Sequence, residues 1–260
     1  MSSTSSTDQV FAVPELITAI ILQLPIQDIL THAQLVNRSW KLAVDSLPVQ
    51  QAVFLTPQQS DHGMKPKFNP LLKEKFPSWF NCAERNNTDR DKRGWQFERL
   101  EWGSSPEKCA AYARKEASWR QMLPVQPPAT IFEVRKAEHY QGRSYLKVGQ
   151  VAFSEGVRMG TLYDWAQKTF RMPISEFQMK WHMVSPTEDV ELDFSMPPDE
   201  TETPDEIEKR MMGQGPPKVT MNTSYTMQCD FGMEPDVQPK FISEGYEDLS
   251  ITWGGEKNLR

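Results

Sequence analysis

The side chains that most often bind metals or carry out catalysis, histidine and cysteine, are scattered along this chain. The histidines are isolated from one another: His32, His62, His139 and His182. The cysteines are odd in number and far apart: Cys82, Cys109 and Cys229. They have neither zinc-site spacing nor the pattern of a disulfide framework. The sequence therefore predicts no metal, no cofactor and no catalytic residue, and it favours a reducing compartment, the cytoplasm or the nucleus.

Glycines and carboxylates also form groups that could do chemistry, but both groups have simpler interpretations. Gly213 and Gly215 lie in a loop, whereas a phosphate-binding turn requires a strand, a glycine-rich loop and a helix. Carboxylates are dense between Glu188 and Glu208, within an acidic, proline-rich loop over residues 185–217. A solvated linker explains these carboxylates better than a pair of catalytic acids does.

A basic cluster interleaved with aromatic side chains could recognise an acidic partner. It comprises Arg85, Arg90, Lys92, Arg93, Trp95, Phe97 and Arg99. Guanidinium and ammonium groups form charge-assisted hydrogen bonds with carboxylates and phosphates, which suggests docking of an acidic or phosphorylated substrate segment. The candidate substrate-binding residues are Arg90, Lys92, Arg93 and Trp95. The simpler alternative is a solvated loop that contacts the acidic part of the same chain.

Overall composition excludes two classes of partner. Residues 1–180 carry 23 basic and 18 acidic side chains, and residues 181–260 carry 6 and 17. With a net charge of −6 and no long basic stripe, we expect no binding to nucleic acid. The apolar run Leu16–Leu24 is interrupted by polar residues and too short to cross a bilayer, so we expect no membrane span.

Prolines and apolar periodicity predict three short helices after a disordered tail over residues 1–9. Pro14 suits the first position of a helix that ends at about Leu24, just before Pro25. The apolar stripe of the second predicted helix consists of Ile26, Ile29, Leu30 and Ala33. That of the third contains Val36, Trp40, Ala43, Val44 and Leu47, and Pro48 closes it. Such a small module has little core of its own and needs a partner surface or an attached domain.

Four ordered motifs in this region carry a resemblance. They are Val13-Pro14-Glu15-Leu16-Ile17, Ile21-Leu22-Gln23-Leu24-Pro25, Asp28-Ile29-Leu30 and Leu35-Val36-Asn37-Arg38-Ser39-Trp40. In this order they resemble the F-box, with Val13 replacing the usual leucine and Asn37 the common cysteine. We therefore expect an F-box over residues 10–50. Residues 68–80 and 117–128 also look like segments of fungal F-box-domain proteins of about this length.

The resemblance implies a function without catalysis by this chain. An F-box binds a Skp-type adaptor, the adaptor binds a cullin, and the region after the F-box selects a protein substrate for ubiquitination. Carried over position by position, the expected adaptor-contact or module-defining residues are Pro14, Glu15, Leu16, Leu24, Pro25, Ile29, Leu30, Leu35, Val36 and Trp40. In particular, we expect Ile29, Leu30, Leu35, Val36 and Trp40 to offer apolar surface to the adaptor.

The remaining sequence predicts an α+β chain. A helical connector over residues 51–128 should contain helices at Pro70–Phe80 and Pro106–Met122, the second capped by Ser105. Residues 129–260 should form a mixed domain with one main helix, Thr161–Phe170. Its expected strands are Thr130–Val134, Tyr145–Phe153, Gln178–Val184, Val219–Gln228 and Phe241–Trp253. Most of the tryptophans should lie in its core: Trp79, Trp95, Trp102, Trp119, Trp165 and Trp181.

Two rival functions remain open from the sequence. The chain could bind the adaptor and act as a scaffold outside the ligase. Alternatively, residues 129–260 could be an enzyme or a ligand-binding domain with the F-box as an accessory. A deep pocket lined by Trp165, Trp181 or Tyr225 would support that second alternative.

Overall fold

The computed structural model contains an N-terminal helical module followed by a sheet with helices packed on one side. It describes residues 13–58, 66–80, 102, 105–140, 143–169, 175–183, 217–227 and 252–259. The expected tail over residues 1–9, the acidic segment 185–216 and the basic cluster around Arg90, Lys92, Arg93 and Trp95 lie outside these residues. The expected α+β class is confirmed, with helices first and the large sheet after them.

The N-terminal module consists of short helices whose boundaries follow from capping residues. Its elements are α1 (Pro14–Ile21), α2 (Ile26–Asp28), a π-turn (Ile29–Ala33), α3 (Gln34–Val36), α4 (Arg38–Val44) and α5 (Leu47–Ala52). Pro14 occupies the start of α1, as predicted. Asn37 is extended, and its side-chain oxygen accepts a 2.9 Å hydrogen bond from the backbone N–H of Trp40, which caps α4.

The third predicted helix is therefore wrong at both of its ends. Val36 ends α3 instead of beginning the next helix, because the extended backbone of Asn37 separates the two. Pro48 does not close a helix but lies in the first turn of α5, where its missing N–H leaves no hydrogen bond unmade. Counting α2, the π-turn and α3 as one continuous run, the described module has four helical runs where the sequence predicted three.

The connector helices are shorter than predicted. They are α6 (Pro70–Lys75), α7 (Pro77–Phe80), α8 (Pro106–Tyr112) and α9 (Ser118–Gln121). Ser105 caps α8 as expected, since its side chain accepts a hydrogen bond from the N–H of Lys108. The single helix expected over Pro106–Met122 is wrong, because α8 ends at Tyr112 and the backbone of Ala117 is extended before α9 begins.

The sheet and its main helix match the sequence expectation more closely. The strands are β3 (Ile131–Tyr140), β4 (Arg143–Ala152), β5 (Ser175–Met183), β6 (Pro217–Met227) and β7 (Thr252–Leu259), with α10 (Met159–Thr169) between β4 and β5. Their order across the sheet is β5-β6-β3-β4-β7. Only β3 and β6 run parallel among these neighbours. Four expected strands fall on β3 to β6, whereas Phe241–Trp253 overlaps β7 only at its end.

The connector and the sheet share one hydrophobic core. The sheet contributes Phe132, Val134, Met179, Trp181, Val219 and Met221, and the connector contributes Leu72, Phe76, Trp79, Trp102, Met122 and Val125. The indole N–H of Trp181 donates a 2.9 Å hydrogen bond to the carbonyl oxygen of Trp79. A short ladder, β1 (Lys67–Phe68) with β2 (Val125–Gln126), closes this core at the side. The domain boundary expected at residue 128 therefore lies inside one core rather than between two.

Tryptophan placement follows the prediction for the described residues. Trp79, Trp102, Trp165 and Trp181 are buried, and Trp119 is half-buried against Phe76 and Tyr163. Trp95 lies outside the described part of the chain. The large aromatic side chains thus stabilise the unit behind the N-terminal module.

The N-terminal module has a second, smaller core of its own. Its buried members are Ile17, Ile21, Ile29, Ala33, Ala43, Val44, Val49 and Val53. Ile26, Leu30 and Leu55 are partly buried and pack against both cores. These contacts hold one side of the module against the remainder of the chain and leave its other side outward.

Candidate docking surface

Among the residues whose side-chain exposure the structure describes, exposed large apolar side chains are confined to one region. Each of the eight large hydrophobic residues that are exposed there lies between Val13 and Leu47. We call this set the N-terminal apolar surface: Val13, Leu16, Ile20, Leu22, Leu35, Val36, Leu42 and Leu47. Single exposed leucines are common on protein surfaces, but a concentration of them marks an interaction site.

Helix α1 is apolar on two faces. Ile17 and Ile21 are buried in the module core, whereas Leu16 and Ile20 are exposed. Each pair is spaced by four residues, so each pair forms one row along the helix. A surface helix that packs against its own chain alone would carry polar residues on the outward row.

The end of α3 carries the most exposed residue of this surface, Leu35. Leu35 is 78% exposed and Val36 is 57% exposed, although both are large aliphatic residues. Leu42 on α4 and Leu47 at the start of α5 are exposed as well. The three helices following the π-turn therefore continue the apolar character of α1.

The expected adaptor-contact residues divide into three groups. Pro14, Glu15, Leu16, Pro25, Leu35 and Val36 are exposed. Leu24, Leu30 and Trp40 are half-buried and pack against the module core. Ile29 is only 2% exposed, so the expectation that it offers surface to a partner is wrong. It stabilises the module from within, and Leu30 and Trp40 expose only part of their side chains.

The sequence pattern missed five residues of the N-terminal apolar surface. They are Val13, Ile20, Leu22, Leu42 and Leu47. Val13, Ile20, Leu22 and Leu47 belong to the predicted helices or motifs, but nothing in the sequence pattern indicated that they contact the adaptor. The available signal was an excess of apolar positions on α1, more than one face can bury. Periodicity alone does not say which of two apolar rows faces inward.

Among the isolated cysteines and histidines, Cys109 and His32 have side-chain contacts that the structure describes. Burial raises the pKa of the Cys109 thiol, whose sulfur donates to the carbonyl oxygen of Trp102. His32 is exposed, and its Nδ1 lies 3.1 Å from a carboxylate oxygen of Asp28. Within the described ranges, no group of three or more histidine, cysteine, aspartate or glutamate side chains could hold a metal ion.

A buried carboxylate lies on the sheet face opposite the shared core. Glu133 on β3 is paired with Lys218 at 2.6 Å and with Arg135 at 2.8 Å. Burial by itself would raise the pKa of Glu133, but the hydrogen bonds and charges of Lys218 and Arg135 outweigh it and hold that pKa below its ordinary value. The side-chain amide of Gln150 also donates to this carboxylate. Lys218 and Arg135 neutralise the charge of Glu133, and Gln150 adds a hydrogen bond. We therefore assign this carboxylate a structural role.

Comparison with known proteins adds no relative to this description. No protein-family model matches the chain, and neither a curated protein nor a solved structure matches it. Among the described helices, none has the length and apolar content needed to cross a membrane.

Proposed function

We propose that this chain is the substrate-receptor subunit of a Skp–cullin–F-box ubiquitin ligase. The N-terminal apolar surface binds the Skp-type adaptor, and the sheet-containing unit binds a protein target. The observation that carries the proposal is that, among residues with described side-chain exposure, the exposed large apolar ones all lie at positions 13–47. Those positions are the ones that bear the F-box motifs.

The arrangement of the two cores supports docking at this surface. The module buries Ile17, Ile21 and Ile29 internally and seals its inner side through Ile26, Leu30 and Leu55. The contacts of the described residues indicate no packing role within the fold for its outward apolar side chains. A stable protein interface buries about 1,600 Å² in total and depends on a few apolar anchors near its centre. Leu35 and Val36 are suited to that role by their exposure.

The experiment is a pull-down of recombinant Skp-type adaptor with the full chain and charge-introducing variants. Leu16→Asp and Val36→Asp place a charge on the apolar surface without emptying the module core. Gln121→Asp is the matched control, because it introduces the same charge at an exposed residue outside the module. We expect adaptor capture by the wild type and the control and at least a tenfold loss for the two variants. Equal capture by all four proteins would contradict adaptor docking at this surface.

A second measurement separates the ligase from the scaffold function. A cullin is added to the adaptor and the full chain, and the eluted complex is examined for all three proteins. Co-elution of the cullin agrees with a ligase subunit. An adaptor complex that excludes the cullin favours the scaffold instead.

A further inference from the structure

The second helical run of the module is not a regular α-helix. Between α2 and α3, Ile29–Ala33 form a π-turn. Such turns are rare inside helices and are frequent at functional sites. This one ends two residues before Leu35, which at 78% is the most exposed residue of the N-terminal apolar surface, and Val36 follows at 57%.

A π-turn changes which residues face inward after it. Its hydrogen bonds span five residues rather than four, so it has the effect of one inserted residue. One residue corresponds to a rotation of about 100° around the helix axis. In an uninterrupted α-helix, Val36 would follow Ile29 by seven positions and share its face. In the structure Ile29 is 2% exposed and Val36 is 57% exposed.

Local side-chain hydrogen bonds support the widened turn. The hydroxyl of Thr31 donates a 2.8 Å hydrogen bond to the carbonyl oxygen of Gln27. The side-chain amide of Gln34 donates to the carbonyl oxygen of Leu30. Each of these donors reaches a carbonyl four residues back, and for a threonine hydroxyl this interaction often bends a helix. Thr31 and Gln34 are exposed, so neither side chain is required to fill the module core.

We infer that the π-turn is a positioning element that turns Val36 out of the module core and onto the adaptor-binding surface. This role rests on the proposed function. It explains why Ile29 and Val36 have opposite exposures despite their helical spacing. It also explains why the helix can end immediately after Val36, since Asn37 then starts a new helix with its own cap.

The test removes the extra residue and leaves the surface residues in place. Deletion of Thr31 should restore α-helical spacing and rotate Val36 toward the module core. Deletion of His32 is a second route to the same spacing, because His32 is also exposed. His32→Ala is the matched control, since it removes an exposed side chain but keeps the number of residues and the Thr31 hydroxyl. Circular dichroism and urea unfolding identify the deletion variants that remain folded.

The first readout is the affinity for recombinant Skp-type adaptor. We expect at least a tenfold loss of affinity for a folded deletion variant and less than a threefold loss for His32→Ala. A folded deletion variant that binds as tightly as the wild type would overturn the positioning role while leaving adaptor docking intact.

The second readout is independent of the adaptor. Val36→Cys and Ile29→Cys are introduced separately, and labelling by a thiol reagent at that position is followed by peptide mass spectrometry. We expect Val36→Cys to label at least tenfold faster than Ile29→Cys in the otherwise unchanged chain and to become protected when Thr31 is also deleted. If both deletions prevent folding, the comparison in the full-length chain decides: equal labelling of the two cysteines would overturn the inference. Failure of the wild type to bind adaptor would instead contradict the proposed function.

Discussion

The guanidinium of Arg158 donates a 2.6 Å hydrogen bond to the carbonyl oxygen of Leu55, across 103 positions of the chain. The same group donates to the carbonyl oxygen of Gln121 at 2.7 Å. The residue preceding Leu55 is also bonded to the connector: the carbonyl oxygen of Phe54 accepts a 2.7 Å hydrogen bond from the N–H of Leu123. The N-terminal module is thereby joined to the connector and to the segment before α10.

Replacement of Arg158 should weaken this joint. Arg158→Met removes both hydrogen bonds and leaves two carbonyl oxygens without these donors, so we expect the free energy of unfolding to fall by about 1–3 kcal/mol. Arg158→Lys is the matched control: it retains the charge and a nitrogen donor, but its different length and shape shift that donor from the position of Nη1, so it should recover part of the loss. Urea unfolding measures both variants. If Arg158→Met is as stable as the wild type, the connection between the module and the connector depends on the apolar contacts alone.

Folding and docking should separate at two residues of the same helical run. Ile29→Ala empties a buried site and should cost about 2–5 kcal/mol of unfolding free energy. Leu35→Ala changes a residue that is mostly exposed and should alter that free energy by less than about 0.5 kcal/mol. We expect Leu35→Ala nevertheless to lower adaptor affinity about tenfold. Calorimetric unfolding and adaptor titration on the same two proteins provide the comparison.

Acidification should destabilise the chain through Glu133. Its pKa is lower in the folded protein than its ordinary value, so the ionised carboxylate stabilises the fold above the unfolded-state pKa of about 4.3. This contribution is lost as the pH falls from that value through the lower, folded-state pKa. Glu133→Gln should cost about 3–5 kcal/mol at neutral pH, because it leaves Lys218 and Arg135 without their counterion.

The variant should also show a shallower decline of unfolding free energy below about pH 4. Glu74→Gln is the control, since Glu74 is an exposed carboxylate paired only with its exposed neighbour Lys75 among the contacts described. It should change stability by less than about 0.5 kcal/mol. Parallel pH profiles for the wild type and Glu133→Gln would exclude Glu133 as the source of the acid sensitivity.

Gly156 should not tolerate a side chain. Its φ is +86°, and a Cβ there would lie 2.4 Å from the Cβ of Pro128. Both the backbone conformation and the close contact oppose any other residue, so Gly156→Ala should cost about 1–3 kcal/mol. Ser154→Ala, at an exposed residue of the same turn region, is the control. Thermal unfolding should show a lower midpoint for Gly156→Ala alone.

Local rules predicted many of the element boundaries. Pro14 begins α1 because a first-turn proline lacks only an N–H that would have had no partner in the helix. Ser105 caps α8 because its oxygen accepts one of the free N–H groups. The alternation in β6 and the helical stripe of α10 also correspond to observed elements. Each of these features depends on residues close together in sequence.

Which face of the N-terminal module is buried and which is exposed depends on contacts between residues distant in sequence. The sequence by itself determined that α1 carries two apolar rows and that Ile29 and Val36 are spaced as one helical stripe. Only the tertiary structure decided that Leu16 and Val36 face outward while Ile17 and Ile29 are buried, and that the connector shares the core of the sheet. Hydrophobic burial is nondirectional, so the neighbours available in the fold decide which apolar row is covered.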